Sequence, residues 1–278
     1  MQTFLNFKKT WVISKEMTSM LWKYRALLVE QTRRDLFDAH AGQMAGGIWM
    51  FLHPIFLMAV YVFVFGVVFK QRIGGTYELP LDYTTYILSG LVPWFAIIQG
   101  LTKSTVSLTS NSNLIKQVVF PIEILPVKSI LSAFVPFFVT LTILVIYVLF
   151  TYGGLPSSYL LLPLVIFIHY LWGVGIAFIL SSLGVFVRDI QELITMFGVA
   201  GMFLLPVIYL PSWVPDIFKP ILYANPFSYL IWCYQDVLYF GRIEHPEAWV
   251  FSILFGLIAY FYGARLFRKL KHSFGDVL

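Results

Sequence analysis

Charged residues are scarce in this sequence. They account for 12% of its 278 residues, whereas about a quarter is usual in soluble domains. Hydrophobic residues account for 59%, so the composition excludes an ordinary soluble protein and indicates a polytopic membrane protein. The net charge of +5 would suggest a nucleic-acid partner in a soluble protein. In a membrane protein Lys and Arg determine topology instead, and we expect no nucleic-acid partner.

Cysteine is also rare, and the common catalytic motifs are missing. The single cysteine, Cys233, excludes an intramolecular disulfide. No Gly-Lys pair occurs, so the chain has no P-loop of its own with which to bind ATP. The H-E-x-x-H, C-x-x-C and G-x-S-x-G patterns are absent as well, and we expect neither a metal site nor a catalytic residue. The first residues lack the apolar core of a cleavable signal peptide, and we expect none.

Six apolar segments are long enough to cross a bilayer, which takes roughly 20 residues. They cover residues 48–69, 84–106, 127–150, 159–187, 193–210 and 248–264. No Asp or Glu falls within them, which counts against a proton- or sodium-coupled carrier. We predict an all-α integral membrane protein, with an N-terminal segment over 1–47 and a six-helix transmembrane domain over 48–278.

The basic residues are distributed unevenly around these segments. A cytoplasmic N-terminus places 15 of the 19 Lys and Arg residues on the cytoplasmic side, as the positive-inside rule requires. Both termini are then cytoplasmic, with a cytoplasmic tail over 265–278. The basic residues left outside are Lys70, Arg72, Lys219 and Arg242.

The N-terminal segment has the pattern of an amphipathic helix. Met17, Leu21, Tyr24 and Leu28 recur at helical spacing, which predicts a helix lying in the membrane interface. Its basic residues are Lys23, Arg25, Arg33 and Arg34. Anchoring to anionic lipid is a sufficient explanation for such a helix.

Few polar residues enter the predicted spans, and some aromatic residues recur along one face. We expect His53 and His169 to hydrogen-bond neighbouring helices, and Lys103, which follows Gln99 by four residues, to extend to the cytoplasmic surface. Two stripes at seven-residue spacing are candidates for a pore lining, although such stripes more often pack helices together. Their members are Trp49, Phe56 and Phe63 in the first span, and Met196 and Phe203 in the fifth.

The connection between the fifth and sixth spans is rich in aromatic residues and proline. Residues 209–240 contain ten aromatic residues, and four prolines divide the segment into pieces too short to cross the membrane. Such pieces can enter the membrane and return if protein covers their backbone. We predict external re-entrant helices over about 211–245. An interfacial aromatic belt is the alternative.

The cytoplasmic connection between the second and third spans has the features of a docking element. Asn111, Ser112 and Asn113 are preferred helix N-cap residues, and residues 114–120 are long enough for two turns before Pro121. This predicts a short helix that presents apolar side chains to a soluble partner, or one that is merely tucked against the bilayer. Its apolar residues are Leu114, Ile115, Val118, Val119 and Phe120, and Lys116 is its basic residue.

Four segments resemble corresponding regions in the membrane subunits of ABC-2-type exporters, in the same order. They are LWKYRALLVEQTRRDL with GGIWMFLHPIF (21–36 and 46–56), NLIKQVVFPIEILP (113–126), SLGVFVRDIQELITMF (182–197) and LPVIYLPSWVPDIFKPILYANPFSYLIWCYQDVLY (205–239). The chain is most similar to the subunits that export lipid-linked polysaccharides, namely O-antigen, capsule and wall teichoic acid.

This resemblance implies a homodimer in the bacterial cytoplasmic (inner) membrane, with an ATP-binding subunit under each copy that supplies ATP and magnesium. It implies that Asn111–Phe120 forms the coupling helix. It also implies a substrate in which a glycan is linked to a lipid of the undecaprenyl-diphosphate type. Lys23, Arg25, Arg33 and Arg34 are then candidates to bind the headgroup, since arginine suits phosphate geometry.

Two alternatives stay open. One is an ABC-2 permease for a drug or another lipid. The other is a membrane-embedded glycan transferase or ligase with acidic groups at an external cleft. The available acidic residues are Asp216, Asp236, Glu244 and Glu247.

Overall fold

The computed structural model describes residues 7–38, 42–43, 46–68, 81–117 and 120–278, and within them all regular secondary structure is helical. The α-helices are α1 (Phe7–Lys23), α2 (Arg25–Asp38), α3 (Trp49–Tyr61), α4 (Tyr83–Thr105), α5 (Ser112–Gln117), α6 (Ile124–Tyr152), α7 (Leu162–Phe186), α8 (Ile190–Leu204), α9 (Lys219–Ala224), α10 (Pro226–Gln235) and α11 (Pro246–Val277). Short 3₁₀ helices lie at Gly46–Ile48, Thr109–Asn111, Ser157–Leu161 and Pro211–Trp213, and π-helical turns lie at Val62–Val68 and Asp236–Phe240.

Five helical segments in the described part of the chain are long and apolar enough to cross a membrane. They are Gly46–Val68, Tyr83–Thr105, Ile124–Tyr152, Ser157–Phe186 and Pro246–Gly275. Each overlaps one predicted span, so the prediction of an all-α membrane protein is confirmed. Helix α4 lies at the centre of the bundle, because 83% of its most apolar stretch is buried within the protein. In the first segment, only 6% of the corresponding stretch is buried. The first segment therefore lies at the edge of the bundle.

The predicted fifth span, 193–210, corresponds to α8. This helix has 15 residues, which is about 22 Å of rise, and a bilayer core is about 30 Å thick. It ends where Leu205 adopts an extended backbone conformation. The described structure therefore supports five spans by length, and the count of six stays a prediction.

The N-terminal amphipathic segment is divided into two helices rather than one. Met17 and Leu28 are buried within the protein, and Tyr24 is 36% exposed. Tyr24 separates α1 from α2, although its N–H donates to the Met20 carbonyl at 3.0 Å and its carbonyl accepts from the Leu28 N–H at 2.9 Å. The placement of this segment in the membrane interface stays a prediction. Helix α1 packs on α11, and α2 packs on α6.

Helices α7 and α11 form the most extensive helix pair. A Cβ atom at Gly175 would overlap the backbone of Ala259 and Tyr260, and one at Gly263 would overlap the Gly175 carbonyl. Close contact between membrane helices depends on such small residues. In the same interface the Trp172 indole N–H donates to the Ser252 carbonyl at 2.7 Å.

The polar residues within the spans mostly contact other helices. His169 is fully buried, and its Nδ1 lies 2.9 Å from the hydroxyl of Tyr234 on α10, which confirms the expected bond to another helix. The predicted cytoplasmic tail is part of α11, which runs to Val277. There Arg265 donates to Thr10 at 2.5 Å and Arg268 pairs with Glu16, so the end of α11 holds α1.

Candidate functional site

The predicted docking segment continues from the end of α4. A turn and the 3₁₀ helix Thr109–Asn111 lead directly into α5. Because the chain before α5 is already helical, Asn111 does not act as the predicted N-cap. Its side-chain amide donates to the Ser107 carbonyl at 2.8 Å instead. Val118 and Val119, which were predicted to extend this helix, lie outside the described residues.

The exposed face of this segment is polar. Ser110, Asn113 and Lys116 are exposed at three-residue spacing, which places them on one face of a helix. Leu114 and Ile115 are partly buried and pack against the core, as does Phe120 after the helix. Leu114 and Ile115 therefore help to hold α5 on the bundle, and their presentation to a soluble partner stays a prediction.

The chain after α5 is linked to the last helix. A turn at Pro121 leads into α6, with the Ile124 N–H donating to the Pro121 carbonyl at 3.0 Å. Glu123, just before α6, accepts a hydrogen bond from Lys271 of α11 at 2.7 Å. The docking segment thus has a direct polar connection to the helix that holds α1.

The four predicted headgroup residues are exposed on α1 and α2, and each contacts a neighbour on its own stretch of helix. Lys23 lies over the Tyr24 ring, Arg25 over Trp22 and Arg33 over Phe37, while Arg34 pairs with Glu30 at 3.2 Å. Stacking and pairing of this kind leave N–H groups free to bind a phosphate. The side chains do not converge on one pocket within the described structure.

The five predicted pore-lining residues are all exposed. Trp49, Phe56 and Phe63 lie on the outward face of the first segment, and Met196 and Phe203 lie on that of α8. Trp49 also lines a cavity between α3, α4 and α6, and the pore-lining role of both stripes stays a prediction. Both faces are available to lipid, a second copy or a transport path.

The proline-rich segment after α8 packs deep within the bundle. Asn225 caps α10 by accepting from the Phe227 N–H at 3.1 Å. The Phe227 ring lies 5.7 Å from that of Trp94, near the middle of α4, and 5.6 Å from that of Trp172, near the middle of α7. The start of α10 is therefore level with the centres of two long apolar helices.

The acidic residues of the external segment take part in structural contacts. Asp236 is 1% exposed and accepts hydrogen bonds from the His245 N–H at 3.1 Å and the Trp249 indole at 3.0 Å. Its second oxygen lies 2.7 Å from His245 Nδ1. Through these three contacts with His245 and Trp249, the carboxylate holds the π-helical turn to the start of α11.

The other candidate acidic residues of this segment are Asp216 and Glu244, which pair with cations, and Glu247, which is exposed in the first turn of α11. Asp216 pairs with Lys219 at 2.6 Å, and that hydrogen bond lowers the pKa of the Asp216 carboxyl. Glu244 pairs with Arg242 at 2.8 Å. No group of three His, Cys, Asp or Glu residues that could hold a metal occurs within the described ranges. Ion pairing of this kind does not favour the two-carboxylate cleft that a glycan transferase would need.

Sequence analysis missed a cluster of charges beside α4. Asp35 of α2 lies 3.4 Å from the ammonium groups of both Lys103 and Lys128. The Lys103 ammonium group lies beside Asp35 of α2 and its side chain is 34% exposed, so the extension of Lys103 to the cytoplasmic surface stays a prediction. The one available signal was the presence of an acidic residue among the basic residues of the N-terminal segment.

Comparison with known proteins identifies relatives along nearly the whole chain. A protein from Klebsiella pneumoniae named O-antigen export system permease protein RfbA is 28% identical over 256 residues, covering 91% of this chain and 95% of the relative. A second protein of that name from the same species is 27% identical over 254 residues, with the same two coverages of 91% and 95%. An RfbA from Myxococcus xanthus is 25% identical over 259 residues, covering 92% and 96%.

The ABC-2 type transporter family model matches residues 30–239. This range begins in α2 and ends in the π-helical turn after α10, so it includes the docking segment and the segment that packs against Trp94. The match takes in most of the chain and accords with the long apolar helices. The chain therefore belongs to the ABC-2 type transporter family.

Proposed function

We propose that this chain is the permease subunit of an ATP-driven exporter that moves a lipid-linked polysaccharide of the O-antigen type across the bacterial cytoplasmic membrane. The observation that carries the proposal is the similarity to three O-antigen export permeases, which extends over more than nine-tenths of each chain compared. Capsule and teichoic acid precursors share the chemistry of a glycan on a lipid carrier. They are variants of the same proposal.

The energy source is a separate ATP-binding cassette subunit, one copy beneath each permease chain, which holds ATP and magnesium. The absence of a P-loop requires such a partner for an ATP-driven process. The exposed polar face of Ser110, Asn113 and Lys116 offers a contact surface at the end of α4. Movement of α5 would be transmitted to α4 and, through Glu123, to α11.

The functional unit is a homodimer. Only 6% of the most apolar stretch of the first membrane segment is buried within one chain. The aromatic stripe of Trp49, Phe56 and Phe63 lies on the exposed face of this segment. A second copy would cover such a face. A glycan passing between two copies would meet aromatic rings, which contact sugars through their C–H groups without charge.

The external segment is re-entrant, and α8 is the inner part of a sixth membrane element. The contacts of Phe227 with Trp94 and Trp172 support entry of the α9–α10 turn to mid-membrane depth. Burial of α10 supports it too, since irregular backbone is tolerated there only under a cover of protein. Under this proposal both termini and α5 lie in the cytoplasm, which agrees with the distribution of Lys and Arg.

A glycan transferase is the candidate that the geometry disfavours most. The carboxylate of Asp236 is buried among donors, and Asp216 and Glu244 each pair with a nearby cation. A permease for a drug or another lipid would use the same architecture. If this chain were such a permease, its similarity to permeases named for O-antigen export would need another explanation.

Co-purification with the ATP-binding protein encoded beside this chain tests the proposal. A tag on this chain should retain the ATP-binding protein, and lipid-linked glycan should stimulate ATP hydrolysis by the complex. A stable complex that is indifferent to glycan but stimulated by another lipid or a drug would overturn the substrate. Failure to retain any ATP-binding protein would overturn the exporter itself.

A further inference from the structure

A cavity of about 350 Å³ lies between α3, α4 and α6, with Leu36 of α2 at one end. Its volume is at the lower end of the range for small-molecule sites. The lining is mostly apolar and extends along α4 from Leu88 to Lys103. Fifteen residues of helix correspond to about 22 Å, which exceeds the roughly 15 Å depth of one bilayer leaflet.

The polar groups of this cavity are concentrated at the Lys103 end. Gln99 lies one turn before Lys103 on the same face of α4, and Ser132 of α6 lies 3.4 Å from the Lys103 ammonium group. His53 of α3 also lines the cavity. An amphiphile would therefore find hydrogen-bond donors at one end and hydrocarbon along the remainder.

The charge at the polar end is incompletely balanced. Lys103 and Lys128 share the single carboxylate of Asp35, each at 3.4 Å, so these three side chains have a net charge of +1. Both distances are long for charge-assisted hydrogen bonds, which are usually below about 2.9 Å. The Lys103 side chain is 34% exposed, so its ammonium group is accessible to a further anion.

We propose that this cavity binds an anionic phospholipid from the leaflet that contains the Lys103 end of α4. Its phosphodiester contacts Lys103 and Gln99, and one acyl chain lies along α4 towards Leu88. A phosphodiester has one negative charge and matches the excess of +1, whereas a diphosphate has more. The small volume suits a single acyl chain better than a long polyprenyl chain. Inorganic phosphate would leave the apolar part of the cavity unfilled.

Native mass spectrometry of the full-length chain in neutral detergent measures this binding directly. Phosphatidylglycerol should bind at least about tenfold more tightly than phosphatidylcholine, because the choline ammonium of the second lipid restores an unbalanced positive charge beside Lys103, and a charge-assisted contact has this order of strength. Lys103→Gln should abolish the preference. Lys116→Gln is the matched control, because it removes the same charge from α5 outside the cavity, and it should preserve the preference.

Three results would overturn the proposal. One is equal binding of phosphatidylglycerol by the wild type and Lys103→Gln. Another is binding of inorganic phosphate as tight as that of the lipid, which would exclude a role for the apolar cavity. The third is exclusive binding of undecaprenyl phosphate, which would assign the cavity to the carrier lipid rather than to a phospholipid.

A second measurement uses the wild-type chain and does not depend on how Lys103→Gln folds. Phosphatidylglycerol with a photoreactive diazirine near the end of one acyl chain is cross-linked to the protein, and peptides are mapped by mass spectrometry. Adducts are expected at cavity residues such as Leu88 and Thr140. Adducts confined to outward residues such as Phe56 and Leu254, which are exposed on α3 and α11, would overturn the site.

Discussion

The Lys271 ammonium group lies 2.7 Å from the Glu123 carboxylate, and this ion pair joins the last helix to the chain that follows α5. The Glu123 side chain is 10% exposed, whereas that of Lys271 is 38% exposed. The carboxylate therefore depends on its partner more than the ammonium group does. Since α11 also holds α1 through Arg265 and Arg268, a displacement of α5 has a path to the N-terminal helix.

We predict that Lys271→Met lowers export more than ATP hydrolysis, because the connection is lost while the partner-binding face is intact. The largely buried Glu123 is left unpaired, at a cost of about 1–2 kcal/mol. The measurement compares glycan export with ATP hydrolysis in a reconstituted complex, together with thermal unfolding. Arg242→Gln is the control, because it breaks an exposed ion pair, which contributes little to stability.

The charge-swapped pair Glu123→Lys with Lys271→Glu tests whether the ion pair itself transmits the motion. It should recover much of the export that either single substitution loses. Equal loss of export and ATP hydrolysis in Lys271→Met would contradict the prediction, because it would indicate loss of assembly rather than of coupling.

The exposed face of the docking segment should decide assembly with the ATP-binding subunit. We predict that Lys116→Glu reduces co-purification of that subunit and leaves thermal unfolding of the permease unchanged, since the side chain is exposed. Leu114→Ala should lower stability instead, because Leu114 packs against the core. Unchanged co-purification with Lys116→Glu would remove this face from the interface.

The sequence predicted the five long helices well because hydropathy is averaged over about 20 residues and tolerates local irregularity. It failed at Asn111 because a cap is defined by where the preceding chain stops being helical, and Asn111 itself belongs to a 3₁₀ helix that leads into α5. The cluster of Asp35, Lys103 and Lys128 joins helices far apart in the chain, and the acidic residue among the basic residues of the N-terminal segment did not indicate which cations it would meet.

Close packing of α7 against α11 gives a prediction about glycine. Gly175→Ala places a Cβ against the backbone of Tyr260, and backbone cannot move aside as a flexible side chain can. We expect destabilisation of about 3 kcal/mol, at the upper end for overpacking. Gly275→Ala is the control, because a Cβ there meets nothing within 4 Å, and the better helix propensity of Ala should stabilise slightly. Equal unfolding temperatures for the two variants would contradict this packing.

Substitution of the buried Asp236 distinguishes a structural role of this carboxylate from a catalytic one. Asp236→Ala leaves the His245 N–H and the Trp249 indole without their acceptor, so we predict destabilisation of about 3 kcal/mol. Asp216→Asn removes a carboxylate that is 91% exposed and should unfold like the wild type. If Asp236→Ala instead unfolds normally in thermal scans and only activity is lost, the carboxylate has a chemical role and the transferase alternative returns.

The membrane topology can be measured by labelling introduced cysteines, and the native cysteine does not have to be removed first. Cys233 is fully buried, so the wild type should react little with a membrane-impermeant maleimide. Ile217→Cys places a thiol at a position that is 79% exposed, and we predict labelling in intact spheroplasts because the external segment faces outward. Lys116→Cys should be labelled only after the membrane is permeabilised. Labelling of Lys116→Cys in intact spheroplasts would put α5 outside the cell, where no ATP-binding subunit could reach it, and the exporter mechanism would be wrong.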